Sequence, residues 1–371
     1  MVYCEKFKKK KTLYPAKVAV IILNWNGKED TLECLESVLQ IEYVNFDVIV
    51  VDNGSNDGSV KAIQNKFSEV NVLETGKNLG YAGGAIQNKF SEVNVLETGK
   101  NLGYAGGNNF GIRYALKKGA DFILILNNDV VVDSQLINEF INAWQLFPDA
   151  GVFAGKIYYF SEPKVIWYAG AKRVRHTAHF THIGQVCMDN GKDFNSVLET
   201  DYASGCAFFV NANVLKKVGL FEEKFFLTFE ENDFCYRARR AGFKCYFVPE
   251  AKVWHKVSIS FGGENSVLFK YFIARNKLLW AERNLNFVKR LEVYSSAIYE
   301  FLKYILPPRF YLNFDGNKSL SKAIYRSMLE YKKSFIAKYK DPNRKAYRWG
   351  LRDYILRRFG DCPDSVRALI K

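Results

Sequence analysis

The chain has 371 residues, and its 53 lysines and arginines outnumber 39 aspartates and glutamates to give a formal net charge of +14. Hydrophobic residues make up 48% and aromatic residues 16% of the chain, which is enough to bury a large core and excludes a disordered protein. No apolar run approaches the roughly 18 residues of a membrane-spanning helix, and seven scattered cysteines indicate neither a disulfide scaffold nor a zinc site.

The positive charge is concentrated at the two ends. Residues 1–20 hold six lysines and one glutamate, and residues 331–371 hold twelve lysines and arginines against four aspartates. A duplex-binding protein more often spreads a basic stripe over its folded domain, so nucleic acid is not an expected partner. Basic ends fit an anionic membrane surface or simply aid solubility. Because the start lacks the apolar stretch of a signal peptide, we expect a cytoplasmic protein, either free or peripheral at the cytoplasmic face of a membrane.

Strand and helix patterns alternate after a basic N-terminal arm over residues 1–16. Continuous apolar runs predict strands, and apolar residues at helical spacing predict the helices between them. Strands are expected over residues 18–23, 46–51, 94–97 and 122–126. One helix is expected over residues 31–39, and two more are expected to begin at Ser59 and at Asn108. This order predicts an α/β fold with a doubly wound, mostly parallel sheet flanked by helices.

An exact tandem duplication interrupts this pattern, because residues 62–84 recur without a change as residues 85–107. Two copies are too few for a solenoid, which needs about three stacked units. Copy one continues the helical pattern begun at Ser59, whereas copy two continues into the helix expected from Asn108. We therefore expect the functional loop in copy two and additional helix, strand or loop material around residues 75–97.

Polar residues follow each of the four predicted strands. A single polar strand end is usually an ordinary turn, but the carboxyl ends of parallel strands are where ligands bind in such sheets. No G-x-G-x-x-G follows the first strand and no G-x-x-x-x-G-K-[ST] occurs, which disfavours NAD and ATP sites. The candidate binding residues are Asn24, Trp25, Asn26, Asp52, Asn53, Lys100, Asn101, Gly103, Asn127, Asn128 and Asp129.

Three further helices are predicted after residue 285, over 288–306, 319–340 and 343–359. Apolar and charged residues alternate at amphipathic spacing in the first of them. Such a helix either packs on the preceding domain or lies in a membrane interface. Residues 286–371 are thus expected to form a helical, basic C-terminal extension.

The strand-end segments resemble the nucleotide-sugar-binding half of family 2 glycosyltransferases, in particular the rhamnosyltransferase-like branch. Four later segments, 204–210, 218–226, 229–239 and 247–255, resemble the acceptor half. The resemblance covers residues 17–285 and implies a GT-A fold, with a nucleotide-sugar half over 17–130 and an acceptor half over 131–285.

The resemblance also implies a donor and metal site. It places the pyrimidine base and ribose at Asn24 to Asn26 and Asp52, and the donor more widely at the other strand-end residues. The segment from Asn127 to Asp129 stands where the family has its D-x-D, with Asn127 in place of the first aspartate that many relatives have. Asp129 would then hold Mg²⁺ or Mn²⁺, since hard cations prefer carboxylate oxygen, and His255 would lie near the metal and the diphosphate.

An acidic cluster supplies the candidate general base. Glu231 stands where the family places this base, which is usually an aspartate, and Glu230 and Asp233 are the alternatives. The cluster could equally cap a helix expected over 233–241, because carboxylates are favourable at helix N-termini. Both roles are compatible.

These features together predict an inverting, metal-dependent glycosyltransferase. It would move a sugar, rhamnose being one candidate, from a dTDP- or UDP-sugar to a saccharide or lipid-linked saccharide in cell-surface polysaccharide synthesis. One alternative is a catalytically inactive relative that only binds nucleotide sugars, and another is a sugar nucleotidyltransferase, which would release pyrophosphate.

Overall fold

The computed structural model describes residues 15–67, 70–74, 93–257, 266–305 and 340–370. Its first half consists of β1 (Val18–Asn24), α1 (Lys28–Val38), β2 (Phe46–Asp52), α2 (Ser59–Lys66), β3 (Val70–Glu74), β4 (Val93–Glu97), α3 (Gly103–Lys117) and β5 (Phe122–Asn127). These five strands pair in parallel, in the order β3-β4-β2-β1-β5. The expected α/β fold with a mostly parallel sheet is confirmed.

The register of the three central strands brings their carboxyl ends level. Asn24 at the end of β1 pairs with Asp52 at the end of β2, and Leu23 pairs with Asn127 at the end of β5. Nearly every residue of these strands is buried, as expected for parallel strands covered on both faces. The polar residues that follow the strands therefore meet at one edge.

The second half contains β6 (Val130–Val132), α4 (Leu136–Leu146), β7 (Ala150–Tyr159), β8 (Val165–Tyr168), β9 (Ala171–Arg173), β10 (Phe180–His182), β11 (Cys187–Met188), β12 (Leu198–Glu199), β13 (Ala207–Asn211), α5 (Ala212–Val218), a 3-10 turn (Glu223–Phe225), α6 (Glu230–Arg240) and β14 (Lys244–His255). β13 runs antiparallel between β5 and β7 and joins the two halves into one sheet. β14 lies parallel to β7, and its last residue, His255, also pairs with Val130 of β6. This pairing brings His255 to the edge that carries Asp129.

Stacked phenylalanines fill the core where the halves meet. The ring of Phe209 on β13 stacks on Phe122 at 5.0 Å and on Phe140 at 4.8 Å between centroids. All three side chains are buried. Aromatic pairs at these distances add packing energy beyond the area that they bury, so β13 is anchored to the parallel half.

The C-terminal helices are α7 (Val267–Asn284), α8 (Phe287–Ile305), α9 (Pro342–Ile355) and α10 (Asp364–Arg367). α9 packs on α7, where the Tyr271 hydroxyl donates to Asp353 Oδ2 at 2.8 Å. The helices expected over 288–306 and 343–359 are present within a few residues, and the one expected over 319–340 lies almost wholly outside the described residues. Within the described ranges, no helix is both long and apolar enough to cross a membrane.

Three helices begin at least three residues earlier than the sequence pattern predicts, and the first is α1, which starts at Lys28 rather than at residue 31. α3 starts at Gly103 rather than at Asn108, because Asn101 Oδ1 accepts a hydrogen bond from Gly103 N at 2.8 Å and opens the turn. The glycines of this segment have low helix propensity, so the sequence pattern does not indicate that the helix begins there. α6 starts at Glu230 rather than at Asp233, which places three acidic residues in its first turn.

The duplicated strands lie side by side. Each residue of β3 pairs with its own duplicate in β4, from Val70 with Val93 to Glu74 with Glu97. β4, from copy two, lies between β2 and β3, so copy one contributes the edge strand. Copy two also supplies the loop after β4 and the first turns of α3.

We expect a chain that lacks residues 62–84 to fold, because it keeps one complete copy of the repeat. The shortened sequence is the same whichever copy is removed. The strand that follows α2 would then take the position of β4 beside β2. The melting temperature of the shortened protein, followed by circular dichroism, should stay within about 5 °C of the parent value, which corresponds to a small change in the free energy of unfolding. An insoluble or unfolded product would show that the core requires the edge strand.

Candidate active site

The ends of β1 and β2 are held together by a buried polar network. Asn24 Nδ2 donates to Asp52 Oδ1 at 2.9 Å and to Ser55 Oγ at 3.2 Å, and Asp52 Oδ2 accepts from Ser55 N at 3.0 Å. Asn24 and Asp52 are almost fully buried, whereas Trp25 is partly exposed and Asn26 is exposed. The network thus fixes the strand ends and leaves the turn after β1 accessible.

A second network fixes the loop of copy two against β2. Asn53 Nδ2 donates to Asn101 Oδ1 and to the Gly103 carbonyl oxygen, both at 3.1 Å, and Asn53 Oδ1 accepts from Leu102 N at 2.9 Å. Lys100 is exposed at the tip of this loop. Gly103 has a φ of +72°, and a side chain there would overlap Phe226. Only glycine therefore fits this approach between the two halves.

Residues 127–129 after β5 face three different neighbours. Asn127 Nδ2 lies 3.5 Å from Cys206 Sγ, and Asn128 Nδ2 donates to Thr31 Oγ1 at 3.1 Å. Asp129 Oδ1 lies 3.2 Å from His255 Nε2, and both side chains are buried. Of the three, Asp129 alone contributes a carboxylate.

Asp129 and His255 form an ion pair at the end of β14. Burial disfavours the charged imidazole, but Cys206 and Asp129 beside it outweigh this effect and raise the pKa of His255 to about 10. Cys206 Sγ lies 3.5 Å from His255 Nδ1. The imidazole therefore has a thiol on one side and a carboxylate on the other.

Asp129 and His255 fit a divalent cation as a partial ligand set. The Asp129 carboxylate suits Mg²⁺ and Mn²⁺, and the His255 imidazole would join as a ligand after the cation displaces the proton that its raised pKa retains. Among the described residues, no cluster of three or more His, Cys, Asp or Glu side chains forms a complete site. A cation held here would take its remaining ligands from a bound diphosphate and from water, as Mg²⁺ commonly does.

Glu231 lies in the first turn of α6, facing Tyr104 of α3. Burial raises the pKa of Glu231 to about 7, although hydrogen bonds from its own backbone, from Gly205 and from the Tyr104 hydroxyl lower it. The Tyr104 hydroxyl also lies 3.2 Å from the Gly205 carbonyl oxygen. A side chain at Gly205 would overlap both the Tyr104 hydroxyl and the Glu231 carboxylate, so this position requires glycine.

The other two acidic residues of this turn are buried in different environments. Glu230 Oε1 accepts from Thr228 N at 3.0 Å, and Glu230 Oε2 has no hydrogen-bond partner within the described part of the chain. Burial together with Glu231 raises the pKa of Glu230 well above its usual range. Asp233 is fully buried, with donors from Arg237 at 2.7 Å, Arg283 at 3.0 Å and Asn284 at 2.8 Å.

Sequence reasoning did not single out three residues of this site. Tyr104 and Gly205 lie inside segments that carried the family resemblance, but no spacing indicated that they meet at Glu231. Trp167 on β8 lies 5.0 Å from His255 between ring centroids, and nothing in the sequence pointed to it. Contacts between distant segments depend on the fold and are not visible as motifs.

Comparison with known proteins identifies the family. The model of a family described as "Glycosyltransferase like family 2" matches residues 15–276. The chain belongs to glycosyltransferase family 2. The enzyme class and the family expected from the sequence are confirmed by this match.

Curated relatives carry transferase names. The family 2 chain is 26% identical over 228 residues to the low-salt glycan biosynthesis hexosyltransferase Agl10 of Haloferax volcanii, covering 60% of this chain and 62% of that protein. It is 23% identical over 282 residues to the dTDP-rhamnosyl transferase RfbF of Shigella flexneri, covering 72% and 81%. An N-acetylglucosaminyl-diphospho-decaprenol L-rhamnosyltransferase of Mycobacterium tuberculosis is 26% identical over 227 residues, covering 58% and 68%. These relatives confirm the rhamnosyltransferase-like branch.

Solved structures of other glycosyltransferases share the fold. The mannosyltransferase PcManGT from Pyrobaculum calidifontis, in complex with GDP-Man and Mn²⁺, matches with a TM-score of 0.50 at 13% identity over 92% of this chain and 88% of that one. GalNAc-T7 with UDP, GalNAc and Mn²⁺ matches with a TM-score of 0.53 at 14% identity, over 78% and 58%. At these identities the likeness concerns the fold.

Proposed function

We propose that this family 2 protein transfers a sugar, with inversion, from a nucleoside-diphosphate donor to a saccharide or lipid-linked saccharide. The observation that carries the proposal is that two consecutive residues connect the candidate base with the candidate metal pair. Gly205 contacts Glu231, and Cys206 contacts His255, which pairs with Asp129. With the base on one side of this dipeptide and the diphosphate site on the other, the acceptor oxygen would displace the diphosphate directly at the sugar carbon.

The donor is proposed to be a dTDP- or UDP-sugar, with rhamnose as the favoured sugar. The names of two relatives, a dTDP-rhamnosyl transferase and an L-rhamnosyltransferase, support this choice. The accessible turn at Trp25 and Asn26 would receive the base, with Asp52 and Lys100 nearby for the ribose and the phosphates. The nucleotide-sugar half would thus comprise residues 17–130 and the acceptor half residues 131–285.

In the proposed reaction Glu231 removes the proton from an acceptor hydroxyl while the oxygen attacks the anomeric carbon. The bond from that carbon to the diphosphate breaks on the opposite face, and the electron pair leaves with the nucleoside diphosphate. A divalent cation held by Asp129 and His255 would compensate the charge of the departing diphosphate. Asp233, held by three donors, is assigned a structural role, and Glu230 is assigned to the environment of the base.

Glu231→Gln should abolish transfer while leaving donor binding intact, because an amide cannot accept the proton. We expect a loss of about 10²- to 10⁴-fold in kcat, the usual contribution of a general base. In the parent enzyme kcat should rise with pH through about 7, since only the ionised carboxylate acts. Product analysis by chromatography should give nucleoside diphosphate, not pyrophosphate.

The isosteric variants Glu230→Gln and Asp233→Asn are the controls for this experiment. If Glu231→Gln still transfers sugar and either Glu230→Gln or Asp233→Asn does not, the residue changed in that control is the base. Donor binding without any turnover in the parent chain would favour an inactive binding protein. Release of pyrophosphate would favour a nucleotidyltransferase.

Asp129→Asn should remove the response to metal. We expect Mn²⁺ to raise the melting temperature of the parent protein in the presence of UDP or dTDP, because a ligand that binds only the native state stabilises it. The variant should lose this shift. Asp133→Asn is the matched control, since Asp133 accepts from Gln135 N at 2.8 Å away from the site. An unchanged shift in Asp129→Asn would remove this residue from the metal site.

We further propose that α8 attaches the enzyme peripherally to an anionic membrane. Six of its large apolar residues are between 42% and 71% exposed, and the helical repeat places them within an arc of about 120°; they are Phe287, Val288, Leu291, Ile298, Tyr299 and Leu302. The basic ends of the chain would add attraction to anionic lipids.

Sedimentation with vesicles tests this attachment. The protein should pellet with vesicles that contain phosphatidylglycerol and stay in solution with pure phosphatidylcholine. The double variant Ile298→Ser/Leu302→Ser should bind at least tenfold more weakly and keep its catalytic activity on a soluble acceptor. Equal binding of the variant, or no binding of the parent at low salt, would contradict the proposal.

A further inference from the structure

Four aromatic side chains form a connected layer beside the proposed catalytic groups. The Trp167 ring lies 5.0 Å from His255 and 4.6 Å from His182 between centroids. His182 Nε2 and the Tyr202 hydroxyl are 2.5 Å apart, and the Phe180 and Tyr202 rings are 5.4 Å apart. We call Trp167, Phe180, His182 and Tyr202 the aromatic floor.

Three separate parts of the chain supply the aromatic floor. Trp167 comes from β8, Phe180 and His182 come from β10, and Tyr202 precedes Gly205 by three residues. All four side chains are partly exposed, and a second layer behind them, which contains Tyr168 and Trp280, is fully buried. Trp167 and Tyr202 pack against the main core and Phe180 against a second apolar cluster, and each leaves part of its ring exposed.

The aromatic floor extends between the proposed metal pair and the proposed base. At one end Trp167 contacts His255. At the other end Tyr202 precedes Gly205 by three residues, and Gly205 packs so closely on Glu231 that a side chain there would overlap its carboxylate. A molecule resting on the floor would therefore lie next to both groups.

The chemistry of the floor fits a neutral sugar ring. Aromatic faces pack against the C–H face of a pyranose, and the Tyr202 hydroxyl and Trp167 indole offer polar edges for its hydroxyl groups. Burial lowers the pKa of His182 to about 4, so at neutral pH none of the four side chains is charged. A charged ligand would find no counter-ion among them.

We propose that the aromatic floor binds the pyranose ring of the acceptor and presents its hydroxyl group to Glu231. This assignment rests on the glycosyl transfer proposed above. It deepens that proposal by naming the residues that select the acceptor, in a part of the chain without a strand-end motif. Trp167 is the residue whose loss should matter most, because it contacts both His255 and His182.

Saturation-transfer NMR with methyl glycosides of rhamnose, mannose, galactose and N-acetylglucosamine tests the assignment. The full-length protein would be loaded with Mg²⁺, which unlike Mn²⁺ is diamagnetic, and with UDP or dTDP. We expect at least one glycoside to give a saturation signal that Trp167→Ala reduces at least tenfold and that Trp167→Phe retains within about threefold. Trp144→Phe is the matched control, because Trp144 packs on Phe122 in the core at 5.0 Å.

Two results would overturn the assignment: no glycoside signal from the parent protein, or an equal signal from Trp167→Ala. Donor hydrolysis and nucleotide binding, measured on the same samples, separate this outcome from failure of the proposed function. The matched control Trp144→Phe should keep both within about twofold of the parent, since Trp144 packs on Phe122 in the core and is not part of the floor. Absence of donor hydrolysis in the parent protein would count against glycosyl transfer itself, whatever the glycosides do.

Discussion

The turn formed by residues 226–229 is the constraint on which the arrangement of the site depends. Phe226, Thr228 and Phe229 all have positive φ angles, and each such non-glycine residue costs on the order of 1–3 kcal/mol. A strained turn persists only where its surroundings hold it. Glu230 and Glu231 follow directly, so whatever holds this turn also sets the position of the proposed base.

Two distant parts of the chain hold the turn. Asn276 of α7 donates to the carbonyl oxygens of Phe225, Leu227 and Thr228 at 2.7 to 3.0 Å. On the opposite side, Tyr104 N at the start of α3 donates to the Phe226 carbonyl oxygen at 2.6 Å. The C-terminal helices therefore help to set the position of the proposed base, because α9 braces α7 and Asn276 of α7 braces the turn. The first half of the sheet is coupled to the same turn through Gly103 and Tyr104.

The sequence predicts what is local and periodic, and it misses what depends on contacts across the fold. Apolar runs predicted four of the strands, and the polar residues at their ends predicted the shared edge that we propose for the donor, because strand ends in a parallel sheet must meet. The acidic cluster at residues 230–233 was recognised and the family resemblance favoured Glu231, but the residues alone did not distinguish the three carboxylates. Their environments differ through Arg283, Asn284 and Tyr104, which come from other elements. Trp167 was missed for the same reason, since a single tryptophan in a strand carries no indication of its neighbours.

The duplication illustrates how tertiary contacts choose between identical sequences. Both copies contain the same loop and the same Gly-Tyr-Ala-Gly-Gly segment, so propensity cannot favour either one. Only copy two continues into Asn109, whose amide donates to the Phe221 carbonyl oxygen and accepts from Phe221 N. Only copy two reaches Gly111, where any side chain would press on Ile21 and Val51. The helix after copy two can therefore pack on β1 and β2 and hold Phe221, whereas copy one leads into Ala85 and Ile86. The choice of β4 as the inner strand follows from residues that lie outside the repeat.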